Sequence, residues 1–550
     1  MFIKITKAGN HEYVQLVQSY RDGGQVRHKV VAKLGRVDEI EGNPSFQRIA
    51  MRLAEISKAP QKGKNMQAFS EAEIVNWGWL VYRKLWEQLG IDVILEKLGQ
   101  NRKYQFNVDQ TSFLMAVQHL LDPRSKLGTF EHQERYLGLG EVGLNHLYRS
   151  LDFLCEHKET LEESLFQTDR HLFNMRVDVV FYDVTTFSFE SVKKDSLRDF
   201  GFSKNGKFNE VQVVMGLLID SEGRPIGYEL FPGNTFDGKT LEAALEAMEK
   251  RFGIRRVIVV ADRGINSKLN LKRISEKGYE YIVASRIKSL KNSVQEEILS
   301  DDGYREICLP WEENKETVRY KVINYLNRFR EGKQTYELEE QLIVTYSSRR
   351  ARKDKSDRER LVEKAQRLLQ SQSSIKASNK RGGKKFLKET ADSQVSWELD
   401  QAAIEKDARF DGYYGIQTNA KKLTVNAILA AHHTLWKIEE SFRIMKSTLE
   451  VQPVFHWTEK RIKGHFVVCF LAFLLERTLE YQLRQANIEA SPRDIQESLN
   501  TLTFSLVNID DKSYLIKNKA TEISKKILRL LKISSIPNMM PIEDFKQYIK

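Results

Sequence analysis

Three carboxylates stand where the sequence makes them conspicuous. Asp183 interrupts Val180-Phe181-Tyr182-Asp183-Val184-Thr185-Thr186, a β-branched and aromatic run that reads as a strand. Asp is depleted inside strands because its charge must be hydrated, paired or coordinated. Asp262 closes Val257-Ile258-Val259-Val260-Ala261, a buried type of strand, and is followed by Arg263-Gly264. Chemistry in open parallel sheets gathers beyond the carboxyl ends of strands. Glu439 lies in the segment His433–Lys446, where Leu435, Ile438, Phe442 and Met445 form one helical stripe and Glu439, Arg443 and Lys446 another. Taken singly, each acid has a plainer reading: an edge-strand Asp facing water, or a salt-bridged solvent face of a helix. Together, carboxylates from neighbouring strands and a helix suit hard, oxygen-seeking cations, Mg²⁺ or Mn²⁺.

The elements that must position these acids follow from patterning. Between Asp183 and Asp262 lie two strand-like runs, Glu210 to Leu218 and Pro225 to Phe231, separated by the turn Asp220-Ser221-Glu222-Gly223. A helical pattern from Leu241 to Phe252 comes next, and Tyr279 to Ser285 supplies one more strand. The order is strand with acid, hairpin, helix, strand with acid.

These segments resemble the Asp-Asp-Glu transposases of bacterial insertion sequences, in the branch named insertion sequence four. The first Asp falls mid-strand in FYDVTTFSFE and the second follows a strand in VIVVADRG. The branch's helix motif is Tyr-x2-Arg-x3-Glu-x6-Lys; aligned on Glu439, Lys446 matches, whereas Leu435 and His432 occupy the Arg and Tyr positions. Further likeness lies in Gly233-Asn234-Thr235-Phe236-Asp237-Gly238-Lys239-Thr240 and Gly464-His465-Phe466, and it extends from about residue 10 to about residue 485. The resemblance implies an α/β fold: a ribonuclease H-like mixed-sheet catalytic core, interrupted by a β-rich insertion. It implies a homodimer in the synaptic complex, cleavage at terminal inverted repeats and joining of 3′ hydroxyls to target DNA. It also implies passage through hairpin ends in many members. Asp183, Asp262 and Glu439 would be both the catalytic residues and the ligands of two ions about 4 Å apart.

Six regions are expected. Residues 1–60 form a small β-hairpin and helix unit, ending in the linker Ala59-Pro60-Gln61-Lys62-Gly63-Lys64-Asn65. Residues 70–175 are helical, with helices from Gln110 to Leu121, Leu144 to His157 and Lys158 to Met175, and are assigned to terminal-repeat binding. Residues 176–288 begin the core, 289–425 form a basic β-rich insertion, 426–485 complete the core, and 486–550 are a helical, Lys-rich amphipathic surface, for which the resemblance implies a part in dimerisation. The insertion carries strands at Tyr304 to Leu309, Val318 to Leu326 and Leu338 to Tyr346, a basic helix Ser348 to Gln370, and a loop Ser371 to Lys388. DNA contact is assigned to Lys446, Arg443, Lys207, Arg349 and Arg350, and Trp397, Tyr346 and Tyr414 are weighed as base-stacking aromatics against ordinary packing.

Composition sets the outer limits. The chain has 550 residues, more than one core accommodates, with 41% hydrophobic residues and a formal charge of +12 that favours a polyanionic partner. Cys155, Cys308 and Cys469 are too far apart for a CxxC pair, and His456 and His465 read as core or phosphate-contact residues. The N-terminus lacks a signal-peptide core and the longest apolar run, Phe466 to Leu475, is too short to span a bilayer, so a cytoplasmic, nucleoid-associated protein with no membrane contact is expected. The rival readings are a simple nuclease and a DNA-binding regulator on the same fold.

Overall fold

The computed structural model describes the chain apart from residues 1, 10, 23–24, 42, 47, 50–72, 101–105, 173–177, 202–208, 255–256, 310, 312–316, 332, 371–381, 390–396, 510–511 and 550. In chain order the strands are β1 (Phe2–Ala8), β2 (His11–Asp22), β3 (Gln25–Arg36), β4 (Glu73–Asn76), β5 (Val179–Ser188), β6 (Gln212–Asp220), β7 (Pro225–Pro232), β8 (Ile258–Ala261) and β9 (Glu280–Ala284). They continue with β10 (Arg305–Cys308), β11 (Thr317–Glu331), β12 (Gln334–Tyr346), β13 (Leu387–Glu389), β14 (Trp397–Leu399), β15 (Tyr413–Thr418), β16 (Thr503–Ile509), β17 (Lys512–Lys517) and β18 (Met539–Pro541). The chain divides into two units, one of Met1–Met175, Phe187–Val213 and Glu440–Lys550, the other of Arg176–Thr186 and Val214–Glu439.

In the first unit, β2 and β3 form the hairpin expected, and β1 adds a third antiparallel strand to it. The Phe2-Ile3-Lys4-Ile5-Thr6 alternation supplies the third strand, with Ile3 and Ile5 exposed. The linker expected at residues 59–65 lies outside the described residues. The two helices expected between Leu144 and Met175 are one continuous helix, Leu144–Leu172, since neither Pro nor Gly interrupts the pattern. The C-terminal region is a second correction. It is not helical throughout: β16, β17 and β18 join β4 in a sheet ordered β18-β17-β16-β4. Thr503-Phe504-Ser505-Leu506 alternates as a half-buried strand does, and its partner β4 comes from the other end of the chain.

The unit's central helix, Glu459–Gln485, is buried on nearly every side. A helix apolar all round belongs in a core. Among the described residues, no helix is long and apolar enough to cross a membrane. Its charges are absorbed locally. Tyr82 Oη donates to Glu476 Oε2 at 2.8 Å, and Arg477 donates to Glu440 Oε2 at 3.2 and 3.3 Å as well as to Glu480. Burial pushes the Glu476 carboxyl up to about 8, aided by the neighbouring Glu480 charge. A carboxyl raised from 4.5 holds its proton in the folded state after the unfolded chain has released it. That contribution is complete below pH 4.5 and is lost as pH rises towards 8. Glu476→Gln is therefore expected to flatten the fall in melting temperature across this window and to be the more stable protein at its upper end; parallel melting curves for the two proteins would contradict this.

The second unit is built on a nine-stranded sheet ordered β10-β11-β12-β15-β9-β8-β5-β6-β7; the last two residues of β5 and the first two of β6 belong to the first unit. β5, β8 and β9 pair in parallel, while β9-β15, β15-β12, β12-β11 and β11-β10 pair antiparallel. The sheet is mixed, as expected, and the insertion strands β10, β11, β12 and β15 extend that same sheet, while β13 and β14 pair with each other. The parallel strands are near-continuously apolar, as strands covered on both faces are. The β6-β7 turn has Gly223 at φ +83°, with Asp220 Oδ1 accepting from Glu222 N at 2.9 Å and Arg224 N at 2.8 Å. The basic helix runs Ser348–Leu368, capped by Ser347. Of the loop expected from Ser371, residues 371–381 lie outside the described residues; the remainder is a short 3₁₀ turn, Gly383–Phe386, leading into β13.

Candidate active site

The parallel register of β5 and β8 carries the first two acids. The strands pair from Val179↔Ile258 to Tyr182↔Ala261, and one step beyond stand Asp183 and Asp262. Neighbouring strands are about 4.8 Å apart, so the backbone brings the two acids to level positions on adjacent chain segments. Asp183 is half-buried between the buried Tyr182 and Val184, and Asp262 is exposed where its strand ends. Tyr182 takes its place because β6 has no side chain opposite it. A Cβ on Gly216 would lie 2.3 Å from Tyr182 Oη.

The loop after Asp262 is braced. Ile265 N–H donates to Asp262 O at 3.2 Å, and Asn266 Nδ2 donates to Ala284 O at 2.8 Å and Gln417 Oε1 at 3.2 Å. Gln417 in turn donates to the buried Glu340 at 2.6 Å, and Tyr281 Oη donates to the same carboxylate. β9, β12 and β15 are thus tied to the loop that presents the second acid.

Two residues that patterning undervalued gather around Asp262. Tyr414 Oη and His432 Nε2 share a hydrogen bond at 3.3 Å, and the Arg350 guanidinium lies 4.3 Å from the Tyr414 ring centroid. Burial lowers the His432 imidazole to about 4, although the Asp262 charge acts in the opposite sense. Burial raises Tyr414, and the Asp262 charge adds to it. Both are therefore neutral at pH 7. His432 occupies the motif's Tyr position, and its polar ring still reaches a tyrosine hydroxyl. The signal for this pair was that mismatch, but the Tyr414 partnership needs the fold.

Glu439, the last residue of the second unit, is exposed on the helix Trp436–Arg443, in which Ile438 and Phe442 are buried. Lys437 Nζ donates to Ser221 O at 2.6 Å, anchoring the start of this helix to the β6-β7 turn. The preceding helix, Val425–His433, packs on β8 and β9. The three acids do not form a tight cluster. Among the described residues, the group of His, Cys, Asp and Glu ligand atoms lying within 4.8 Å of one another is His119, His465 and Cys469.

The cationic stripe departs from the α-helical spacing expected. The chain passes at Ile444–Thr448 into a π-helical turn, so Lys446 is not at simple i+7 from Glu439. Lys446 Nζ lies 5.4 Å from the Phe187 ring centroid, and Arg443 is 3.6 Å from Glu440 Oε1 with its side chain exposed. Arg349 and Arg350 open the basic helix, Arg350 lying 3.6 Å from Asp354. Lys207 lies outside the described residues. Of the three aromatics weighed for stacking, Tyr414 holds His432, Tyr346 meets Tyr413 with ring centroids 5.0 Å apart, and Trp397 packs in a small cluster with Phe386.

Comparison with known proteins fits this arrangement. The family model described as "Transposase DDE domain" matches residues 176–475, more than half of the chain, and the one described as "IS1634 family transposase, N-terminal domain" matches residues 3–63. The chain belongs to the DDE transposases of insertion sequences. Among solved structures, a piggyBac transposase in a synaptic complex with hairpin DNA is similar at 8% identity and a TM-score of 0.36, covering 78% of this chain and 80% of that one. No protein of curated function matches.

Proposed function

We propose that this transposase binds the terminal inverted repeats of its element, cleaves the DNA there and joins the released 3′ hydroxyls to target DNA, with Asp183, Asp262 and Glu439 as the catalytic acids on a ribonuclease H-like core. The observation that carries the reading is the β5-β8 register, which sets Asp183 and Asp262 level at adjacent strands inside the segment matched by the DDE family model.

The donor set suits the chemistry. Three carboxylates offer hard oxygen ligands of the kind Mg²⁺ and Mn²⁺ prefer. When bound, a pair of such ions stabilises the attacking and leaving oxygens of an in-line displacement and offsets the charge that builds on phosphorus. Asp183, Asp262 and Glu439 would hold such ions through their carboxylate oxygens. In the first step water attacks the phosphorus at the element end and the 3′ oxygen leaves as a hydroxyl. In the second that hydroxyl attacks target DNA and expels a 3′ oxygen there.

Lys446 and Arg443 hold phosphates near the cut by charge, and Arg349 and Arg350 hold the flanking backbone. The neutral His432–Tyr414 pair keeps the Tyr414 hydroxyl beside Asp262 and adds no competing cation to the metal site. Two copies of the chain would hold two element ends, each cutting one. Lys446→Ala is expected to weaken end binding on every sequence alike and to reduce the slope of log affinity against log salt by about 1. An unchanged slope would remove Lys446 from the phosphate contacts.

The test is strand transfer with pre-cut ends. Purified protein, terminal-repeat DNA with free 3′ hydroxyls, Mg²⁺ and a plasmid target are expected to give joined products. Cleavage of uncut ends without any joining would favour a nuclease, and binding without either reaction a regulator.

A further inference from the structure

The first unit holds a second group of metal-ligating side chains, none of them an acid of the motif and chemically unlike those acids. His119, on the helix Val108–Leu121, meets His465 and Cys469, which are one turn apart on the helix Glu459–Gln485. All three are buried, and their ligand atoms lie within 4.8 Å of one another. Cys469 Sγ is 3.9 Å from His119 Nε2, 3.9 Å from His465 Nδ1 and 3.5 Å from His465 Nε2.

One nitrogen of each imidazole is already committed. His119 Nδ1–H donates to Leu449 O at 2.9 Å, and His465 Nε2–H donates to Val451 O at 3.1 Å. A carbonyl only accepts, so each of these bonds fixes the ring proton on that nitrogen. His119 Nε2 and His465 Nδ1 are left as lone pairs beside the same sulfur. Metal-bound histidines are oriented in this way, by an outer hydrogen bond from the nitrogen that does not ligate. A fourth donor stands at the same place: Lys126 Nζ is 3.2 Å from His119 Nε2, and the Lys126 side chain is 3% exposed.

We propose that His119 Nε2, His465 Nδ1, Cys469 Sγ and Lys126 Nζ form a structural site for a borderline-soft divalent metal, zinc in the first instance. Tetrahedral zinc with bonds of about 2.0–2.1 Å to nitrogen and about 2.3 Å to sulfur separates two nitrogens by roughly 3.3 Å and a nitrogen from a sulfur by roughly 3.5 Å. The 3.2 Å between Lys126 and His119 already fits, and the 3.9 Å sulfur distances require side-chain closure of a few tenths of an ångström. Binding releases the thiol proton of Cys469 and the extra proton of the Lys126 ammonium to solvent, leaving thiolate, amine and two neutral imidazoles around the ion. The mixed nitrogen and sulfur donors distinguish this site from the all-oxygen acids, which suit Mg²⁺. Its consequence is mechanical. Leu449 and Val451, which receive the imidazole protons, directly follow the π-helical turn that carries Lys446. A metal here would clamp that segment to the helices Val108–Leu121 and Glu459–Gln485.

Cobalt(II) titration of the full chain tests this, because thiolate ligation gives an intense sulfur-to-cobalt charge-transfer band that carboxylate sites cannot give. The chain has three cysteines, so the double variant Cys155→Ser/Cys308→Ser leaves Cys469 as its single thiol without touching the cluster. That variant is expected to show the band with the intensity of tetrahedral cobalt, saturating at one equivalent per chain and displaced by zinc, and Asp183→Asn should not alter it. Its melting temperature should rise with zinc and not with Mg²⁺. Absence of the band from the double variant would overturn the proposal and leave a metal-free Lys126–His119 hydrogen bond in the core. Persistence of the band in Cys469→Ser would overturn it equally.

Discussion

Asp183→Asn is expected to lower both end cleavage and joining by at least about 10³-fold while leaving the fold and end binding intact. Removing one carboxylate from a site that must hold divalent ions forfeits several kcal/mol of transition-state stabilisation, and each 1.36 kcal/mol is a tenfold change in rate. Asn keeps the shape of the side chain in β5, where Tyr182 and Val184 on either side are buried and Asp183 is half-buried. Single-turnover cleavage of labelled ends measures the loss, with melting temperature and end binding as controls. A variant within about tenfold of wild type would take Asp183 out of the reaction.

Gly464→Ala is expected to destabilise the protein by about 3 kcal/mol or more, enough to leave most of it insoluble. Helix propensity alone gives the opposite sign, since Ala is better than Gly inside a helix by about 1 kcal/mol. Packing decides the matter. A Cβ at Gly464 would lie 2.0 Å from Leu151 O, 2.6 Å from its carbonyl carbon and 2.8 Å from its Cα. These are backbone atoms of the helix Leu144–Leu172, which cannot yield as a flexible side chain does, and Phe466, Val467 and Val468 beside Gly464 are buried. The control is Gly99→Ala, where nothing lies within 4 Å of the added atom and a neutral or slightly stabilising result is expected. Urea denaturation of both variants separates the two terms, and a Gly464→Ala protein as stable as wild type would show that the helices can part.

What could be read from the chain alone follows from what is local. Asp183 showed itself because a charge inside β-branched residues is costly wherever the strand ends up. The buried stripe of Ile438, Phe442 and Met445 followed from a period that the helix imposes. The level placement of Asp183 and Asp262 was out of reach, because it depends on the register in which β8 pairs with β5, between residues remote along the chain. β16 failed for the same reason: its partner, β4, lies more than four hundred residues away. The π-helical turn at Ile444–Thr448 leaves no mark in the pattern of apolar residues, so Lys446 was placed on an ideal helix. His432 looked like a defect in the motif until Tyr414 was found against it.

The most direct test of the central claim replaces Mg²⁺ by Fe²⁺ and lets the bound ion cut the polypeptide by locally generated hydroxyl radicals, with and without end DNA. The three acids are remote in sequence, so the pattern of cuts reports which segments flank one ion site. Cuts near residues 183, 262 and 439 together, all suppressed by excess Mg²⁺, are the predicted result. Cuts near 183 and 262 with none near 439 in the DNA complex, or cuts that Mg²⁺ does not suppress, would contradict it.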